Sequence, residues 1–384
     1  MRKLKMGMIG GGKNAFIGAV HRIAANMDGL IELHCGAFSS SADLSLESGK
    51  ELGLTEDKCY ESYAKMIEAE AKLPLGERMD FVSIVTPNHA HFAPAMLALE
   101  NGFHVVLDKP MTLTLAEAKL LEQKVKETGL YLCLTHTYAG YPMVKQARNM
   151  IAENQLGTIR KIMVEYPQGW LSSDFENGGN KQAVWRTDPS KSGISGCMGD
   201  IGTHAAHLAE YISGLKITQL CADINTVVAG RRLDDDGNVL LKFDNGANGI
   251  LVASQIAAGE ENSLKIKVYG EKGGLEWHQM EPNTLILKWL DAPVQLYRTG
   301  NGYLSAIAAF NTRTPSGHPE GYLEAFGNLY KSFALTLQSK LEGKEPSVNM
   351  LDFPTATDGV RGMAFIENVI ASGKSTQKWT EFKI

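Results

Sequence analysis

Two apolar runs of strand length, Phe81–Val85 and His104–Leu107, flank a helix-like segment from about His91 to Glu100. Strands joined through a helix do not pair as a hairpin. They lie parallel, and a parallel sheet must be covered by helices on both faces. The chain is thereby directed towards an α/β layer structure. Both runs end in polar residues, Thr86-Pro87-Asn88 and Asp108-Lys109-Pro110. Neighbouring parallel strands bring their carboxyl ends to one edge, where ligands bind. Asn88 and Lys109 are therefore expected on one crevice. A surface lysine before a helix-starting proline would explain the second motif equally well, so the start of the chain has to decide.

There Met6–Ile9 is a short apolar strand that runs into Gly10-Gly11-Gly12-Lys13-Asn14-Ala15-Phe16-Ile17-Gly18. A helix-like segment, Ala19–Met27, and a second strand, Ile31–Phe38, follow. A glycine turn between a strand and a helix is the arrangement of a dinucleotide site. Glycine permits the tight turn and close backbone approach, and the helix start offers N–H groups to a pyrophosphate. Gly10 and Gly12 are followed by Ala15 at the third position, or by Gly18 if the turn is longer. Ala15, Phe16 and Ile17 would then sit beside the cofactor. At the tip of the second strand the chain reads Phe38-Ser39-Ser40-Ser41, with no acid and no nearby Arg or Lys expected; the first base downstream is Lys50. Ser39 is expected at the ribose. A 2′-phosphate usually wants a cation as well, so NAD is expected over NADP, with NADP left open.

The chain has 384 residues, room for two domains, and its 44% hydrophobic and 21% charged content is that of a soluble globular protein. A net charge of −5 and the lack of a basic run argue against a nucleic-acid partner. Cys35, Cys59, Cys133, Cys197 and Cys221 are widely spaced with no CxxC, and read as reduced thiols of a cytoplasmic protein. No apolar run reaches membrane-spanning length, and the first strand begins too early to leave room for a signal peptide.

Residues 1–137 alternate strands and helices, with an amphipathic helix Leu115–Thr128 and a last strand Tyr131–Thr135. Gly140-Tyr141-Pro142 marks the crossover into residues 138–384. A helix Met143–Asn154 and a strand Ile159–Pro167 come next, and residues 171–199, rich in Gly, Ser, Asn and Asp, read as a long loop. From Thr218 to Trp289 the pattern is β, with hairpin turns at Asp244-Asn245-Gly246 and Glu271–Gly274. Helices Tyr322–Glu342 and about Pro354–Ala371 close the chain. The second region is thus an α+β domain, and its C-terminal helices are free to pack back on the first.

A second set of reactive side chains lies in Gly196–Gly214, read as a helix opening near Asp200. Asp200 and His204, spaced i,i+4, share a helix face. An acid beside an imidazole suits general-base chemistry. The plainer alternative makes Asp200 a helix cap and His204 a core residue. Asp200, His204 and His207 match no zinc spacing, and no metal is expected. Asp234-Asp235-Asp236-Gly237-Asn238 hints at a calcium loop, but Asn245 stands where the bidentate glutamate belongs, so it is read as a hairpin turn. His34 and His104 lie inside strands and read as structural.

Taken together, these pieces resemble the glucose–fructose oxidoreductase/inositol dehydrogenase (Gfo/Idh/MocA) family over nearly the whole chain. The resemblance rests on the glycine turn, Thr86–His91 (TPNHAH), Gly102–Pro110 (GFHVVLDKP), Trp185–Gly193 (WRTDPSKSG) and Gly199–His204 (GDIGTH). His318–Phe326 (HPEGYLEAF) is similar to the branch acting on pyranosides. The resemblance implies an N-terminal Rossmann domain and a C-terminal α+β domain with a large open, mostly antiparallel sheet, through which a homo-oligomer, dimer or tetramer, forms. It implies Lys109, Asp200 and His204 as the catalytic group. Thr86, Asn88, His91, Asp108, Trp185 and Arg186 are implied near the cofactor, and Tyr138, Trp170 and His318 at the substrate. The family usually has Glu before the lysine; here Asp108 keeps the carboxylate with a shorter reach. The implied activity is NAD(P)-dependent oxidation of a secondary alcohol of a sugar, glycoside or inositol-type cyclic polyol to a ketone. His204 would take the proton and Lys109 would stabilise the alkoxide. An NAD-retaining, redox-neutral glycoside-processing enzyme and a non-catalytic dinucleotide-binding regulator are the alternatives.

Overall fold

A computed structural model describes residues 2–13 and 15–384; Asn14, within the glycine turn, lies outside the described residues. The chain divides into two compact units, residues 1–137 with 322–360, and residues 138–321 with 361–384.

The first unit alternates β1 (Leu4–Gly10), α1 (Phe16–Asn26), β2 (Ile31–Ala37), α2 (Ala42–Glu51), α3 (Tyr63–Ala71), β3 (Phe81–Val85), α4 (Phe92–Glu100), β4 (His104–Leu107), α5 (Leu115–Thr128) and β5 (Leu132–Leu134). The strands form one sheet in the order β2-β1-β3-β4-β5, and every neighbouring pair is parallel. The order reverses between β1 and β3, which opens a crevice at the carboxyl edge there. β3 is buried at all five positions, as suits its mostly apolar run in a central parallel strand. α1 begins at Phe16, three residues before the predicted start at Ala19, because Ala15 is its extended N-cap residue. α5 starts on a capping box of Thr114 and Glu117 and stops at Gly129 in the left-handed region.

The second unit holds α6 (Pro142–Ala152), β6 (Ile159–Pro167), α7 (Lys181–Arg186), α8 (Pro189–Ser192), a π-helical turn Met198–Gly202 and α9 (Thr203–Ser213). It continues with β7 (Ile217–Asn225), β8 (Asp236–Phe243), β9 (Asn248–Ser254), β10 (Lys265–Gly270), β11 (Gly273–His278), β12 (Thr284–Trp289), β13 (Gln295–Arg298) and α10 (Ala306–Phe310). After α11 (Tyr322–Leu341), which belongs to the first unit, come α12 (Ala356–Gly373) and β14 (Thr380–Glu381). The sheet has nine strands in the order β13-β12-β11-β10-β6-β9-β8-β7-β14, antiparallel except for β6 with β9. The predicted 171–199 loop is not structureless. Asn180 Oδ1 accepts the N–H groups of Gln182 and Ala183 to start α7, and Asp188 with Pro189 starts α8.

In the first unit, Leu4, Met6 and Met8 of β1 pack with Val20 and Ala24 of α1 and with Phe326, Tyr330 and Phe333 of α11. The rings of Phe81 and Phe333 meet edge-on with centroids 5.2 Å apart. Truncating a buried phenylalanine such as Phe333 to alanine costs about 3–5 kcal/mol. In the second unit, β6 alternates, burying Ile159, Ile162, Val164 and Tyr166.

Candidate active site

The glycine turn is shaped by contacts that forbid a side chain. Gly11 has φ +71°, and a Cβ on Gly18 would lie 2.3 Å from the Gly11 Cα. The Gly12 N–H donates to the Phe38 carbonyl at 3.2 Å, tying the turn to the tip of β2. Ala15 caps α1 with no side-chain hydrogen bond, and the first turn of α1 carries no acid. Its amide N–H groups and the positive end of the helix dipole thus suit an anion. Phe16 is 69% exposed beside it, and Ile17 is half-buried. Ser39 Oγ accepts the Ser41 N–H at 3.2 Å. These residues fit the pyrophosphate and ribose of a dinucleotide.

The expectation of no nearby base is corrected by Lys13, which reaches this tip from the preceding glycine turn. Lys13 Nζ lies 2.8 Å from Glu47 and 2.8 Å from Glu51 of α2. Its backbone N–H donates to Ser48 Oγ at 3.2 Å. The two carboxylates raise the pKa of Lys13, so it stays a cation. Lys13, Ser48 and Glu51 help line a cleft of about 450 Å³ beside the turn.

At the carboxyl edge, Thr86 Oγ1 donates to the Ala90 carbonyl at 2.9 Å, and Asn88 opens a 3₁₀ turn with 8% exposure. His91 is fully buried. Its Nδ1 is 2.8 Å from the Pro110 carbonyl and its Nε2 is 2.8 Å from the Thr86 carbonyl. Both ring nitrogens face backbone, and His91 ties the loop after β3 to the loop after β4. Burial lowers its pKa, against the pull of Asp108 and the two carbonyls, so the ring is neutral and donates to one of them. Asp108 Oδ1 accepts the Lys109 N–H and the Thr135 hydroxyl, both at 2.9 Å. Its short side chain therefore holds the backbone that carries Lys109. Lys109 is half-buried, and its peptide bond to Pro110 is cis.

In the second unit, the π turn Met198–Gly202 runs directly into α9 and carries Asp200. Such turns occur often at functional sites. Capping falls to Asp234, not Asp200. Asp234 accepts the N–H groups of Gly196 at 2.8 Å and Met198 at 2.7 Å, and the Ser195 hydroxyl at 3.1 Å. Asp235 accepts the N–H groups of Val227 and Val228. The predicted hairpin turn at Asp234–Asn238 is therefore the entry to β8, with Asp234 and Asp235 engaged by backbone amides. Among the described residues, no group of three or more His, Cys, Asp or Glu could hold a metal ion.

Asp200 Oδ2 accepts Gln255 Nε2 at 2.9 Å and Arg186 Nε at 3.3 Å. The Arg186 guanidinium lies over the Trp185 ring at 4.2 Å and within 5.7 Å of Trp170. Arg186, expected near the cofactor, here holds the carboxylate. His204 is 8% exposed, with its ring edge-on to Tyr138 at 4.9 Å and 6.3 Å from Tyr166. Tyr138, Tyr166 and Asn262 close a hydrogen-bonded ring. Tyr166 donates to Asn262 Oδ1 at 2.7 Å, Asn262 Nδ2 donates to Tyr138 Oη at 3.1 Å, and the two phenols are hydrogen-bonded. These bonds make Tyr138 the donor to Tyr166. Gln168 donates to Asn262 at 2.6 Å and accepts from Trp170 Nε1 at 3.0 Å. His318 is exposed on a turn, with Nδ1 3.3 Å from the Ser316 carbonyl, and no described contact brings it to this group. Gln255, Tyr166 and Asn262 were missed. The one available signal was a polar residue at the end of an apolar strand, as Gln255 is after β9.

A family model for the NAD-binding Rossmann fold of the GFO/IDH/MocA oxidoreductases matches residues 4–136, and the model of their C-terminal domain matches residues 144–276. The chain is 33% identical to YfiI of Bacillus subtilis strain 168, described as an uncharacterised oxidoreductase, over 100% of this chain and 98% of that protein. An inositol dehydrogenase homologue from Azotobacter vinelandii, solved with NAD+, superposes with a TM-score of 0.94 at 34% identity, covering 99% of this chain and 98% of the other. The same homologue solved with NADH and myo-inositol gives 0.91 at 33% identity, again covering 99% and 98%. Among the described residues, no helix is long and apolar enough to cross a membrane. With the glycine cradle and uncapped helix start in place, the chain belongs to the GFO/IDH/MocA family and is an oxidoreductase that uses NAD.

Proposed function

We propose that the protein oxidises a secondary alcohol of a sugar, glycoside or inositol-type cyclic polyol to a ketone. The observation that carries this reading is the pair on one helical segment: an Asp200 carboxylate anchored by Gln255 and Arg186, and His204 one turn on. The relative solved with NADH and myo-inositol supports a cyclic polyol as the substrate class. NAD supplies the hydride acceptor. His204 takes the hydroxyl proton as general base. Asp200 orients the imidazole or a neighbouring substrate hydroxyl. Lys109, at the carboxyl edge of the parallel sheet, acts as a cation that stabilises the alkoxide. Trp170 and Tyr138 are assigned to substrate recognition. A homo-oligomer formed through the nine-stranded sheet is part of the same reading.

The test is a panel of inositols, free sugars and glycosides with NAD, read as absorbance of NADH. Formation of NADH with one group of cyclic polyols is expected. Cleavage of a glycoside with no net NADH would replace this reading with the redox-neutral one. Absence of any turnover alongside tight NADH binding would favour a regulator.

A further inference from the structure

The tip of β2 lacks the acid that commonly reads the 2′-hydroxyl of the adenosine ribose. Serines occupy it, and a serine hydroxyl can accept from a ribose hydroxyl or donate to a phosphate alike. Selection of NAD over NADP must then come from other charges nearby. Gly12 bonds the Phe38 carbonyl at the tip, and Lys13 follows Gly12 directly. Phe38 in turn donates its N–H to Ser45 Oγ of α2 at 2.8 Å. The glycine turn, the strand tip and α2 are thus laced together, and Lys13, Glu47 and Glu51 share that junction.

We propose that Glu47 and Glu51 clamp Lys13 and thereby set the preference for NAD: they engage a cation at the ribose end and leave the trio net negative. A bare lysine here would attract a 2′-phosphate. A lysine shared by two carboxylates offers it no free charge, and the surplus carboxylate repels it. The three side chains are 44%, 49% and 50% exposed, so the pairs contribute little to folding. Their effect is on the local potential, where the phosphate of NADP would sit.

The test titrates NADH and NADPH by fluorescence on the full chain, wild type against Glu47→Gln/Glu51→Gln. Both glutamates are exposed, and an unchanged melting temperature checks the fold. NADPH is expected to bind about tenfold tighter in the double variant, the gain from freeing one charged partner. NADH affinity should hold within about threefold, because the pyrophosphate is held by backbone. Adding Lys13→Met to the double variant should remove the gain. Added salt should weaken NADPH binding to the double variant more steeply than to wild type, since an attraction has replaced a repulsion. Unchanged NADPH affinity in the double variant, with NADH binding intact, overturns the clamp. A gain that survives Lys13→Met overturns the role of the lysine. Should the double variant melt early, Glu47→Gln and Glu51→Gln are measured singly, and each must give part of the shift for the clamp to stand.

Discussion

Tyr138 meets His204 edge-on, with ring centroids 4.9 Å apart and planes at 81°. The Tyr138 hydroxyl is already committed. It accepts from Asn262 and is hydrogen-bonded to Tyr166, whose own ring lies 6.3 Å from His204. A closed ring of three bonds holds its members more rigidly than separate pairs would. The imidazole therefore rests against phenols that cannot swing away. Burial raises the pKa of Tyr138, so its phenol stays protonated and keeps donating.

Tyr166→Phe should accordingly lower turnover by about tenfold, the value of one buried hydrogen bond lost from a network. NADH affinity should not change, and KM should move less than kcat. Equal losses in kcat and thermal stability, with no change in the pH profile, would reduce Tyr166 to a packing residue.

Local pattern explains which features could be read in advance. The four apolar residues of β3, with Ser83 among them, suit a strand buried on both faces, and all five positions are buried. The Asp244-Asn245-Gly246 turn joins β8 to β9 as its residues suggest. The partners of the reactive residues are a different matter. Gln255 is 55 residues from Asp200, and Asn262 is 124 from Tyr138. Those meetings depend on the register of a nine-stranded sheet, which no local window contains. The π turn under Asp200 contains Gly199 and Gly202, but neither distinguishes a π turn from the start of an ordinary α-helix. Lys13 is hidden for another reason: it precedes β2 in sequence and reaches the ribose end from the glycine turn.

Lys109→Met separates an enzyme from a regulator. If Lys109 stabilises an alkoxide, turnover should fall by a factor on the order of 10² or more. Dinucleotide affinity should fall far less if, as proposed, the glycine turn holds the pyrophosphate through backbone. Melting should shift little, since the lysine is half-buried at a sheet edge. Wild-type NADH formation abolished by the substitution supports the catalytic role. Activity that survives it moves that role elsewhere.

The outer face of the second sheet carries an apolar row in register: Met163, Ile250, Leu240 and Cys221 on four successive strands. Met163 is 40% and Leu240 42% exposed. If this face joins copies of the chain, Leu240→Lys should lower the mass measured by light scattering without touching NADH affinity. A wild type that is monomeric at every concentration would end that proposal.

Stability against acid should fall through a known group. His21 of α1 is fully buried, with Nδ1 2.7 Å from the Tyr330 hydroxyl, which also lies 2.8 Å from Ser83 Oγ. Burial pushes its pKa from 6.5 down to about 4, with Asp108 opposing and Arg22 adding to the shift. The unfolded chain thus binds this proton near 6.5, and the folded chain only near 4. Between those values the unfolded state holds more protons, so stability falls as pH falls. Linkage puts the loss at about 2 kcal/mol from pH 7 to about pH 5. Gln in place of His21 cannot titrate, and its amide still reaches a hydroxyl. Urea unfolding of wild type and His21→Gln at the two pH values measures the difference. The variant should lose about 2 kcal/mol less than wild type across that interval. Parallel losses in both proteins would mean that His21 is protonated in the folded state, and that the acid sensitivity lies in other groups.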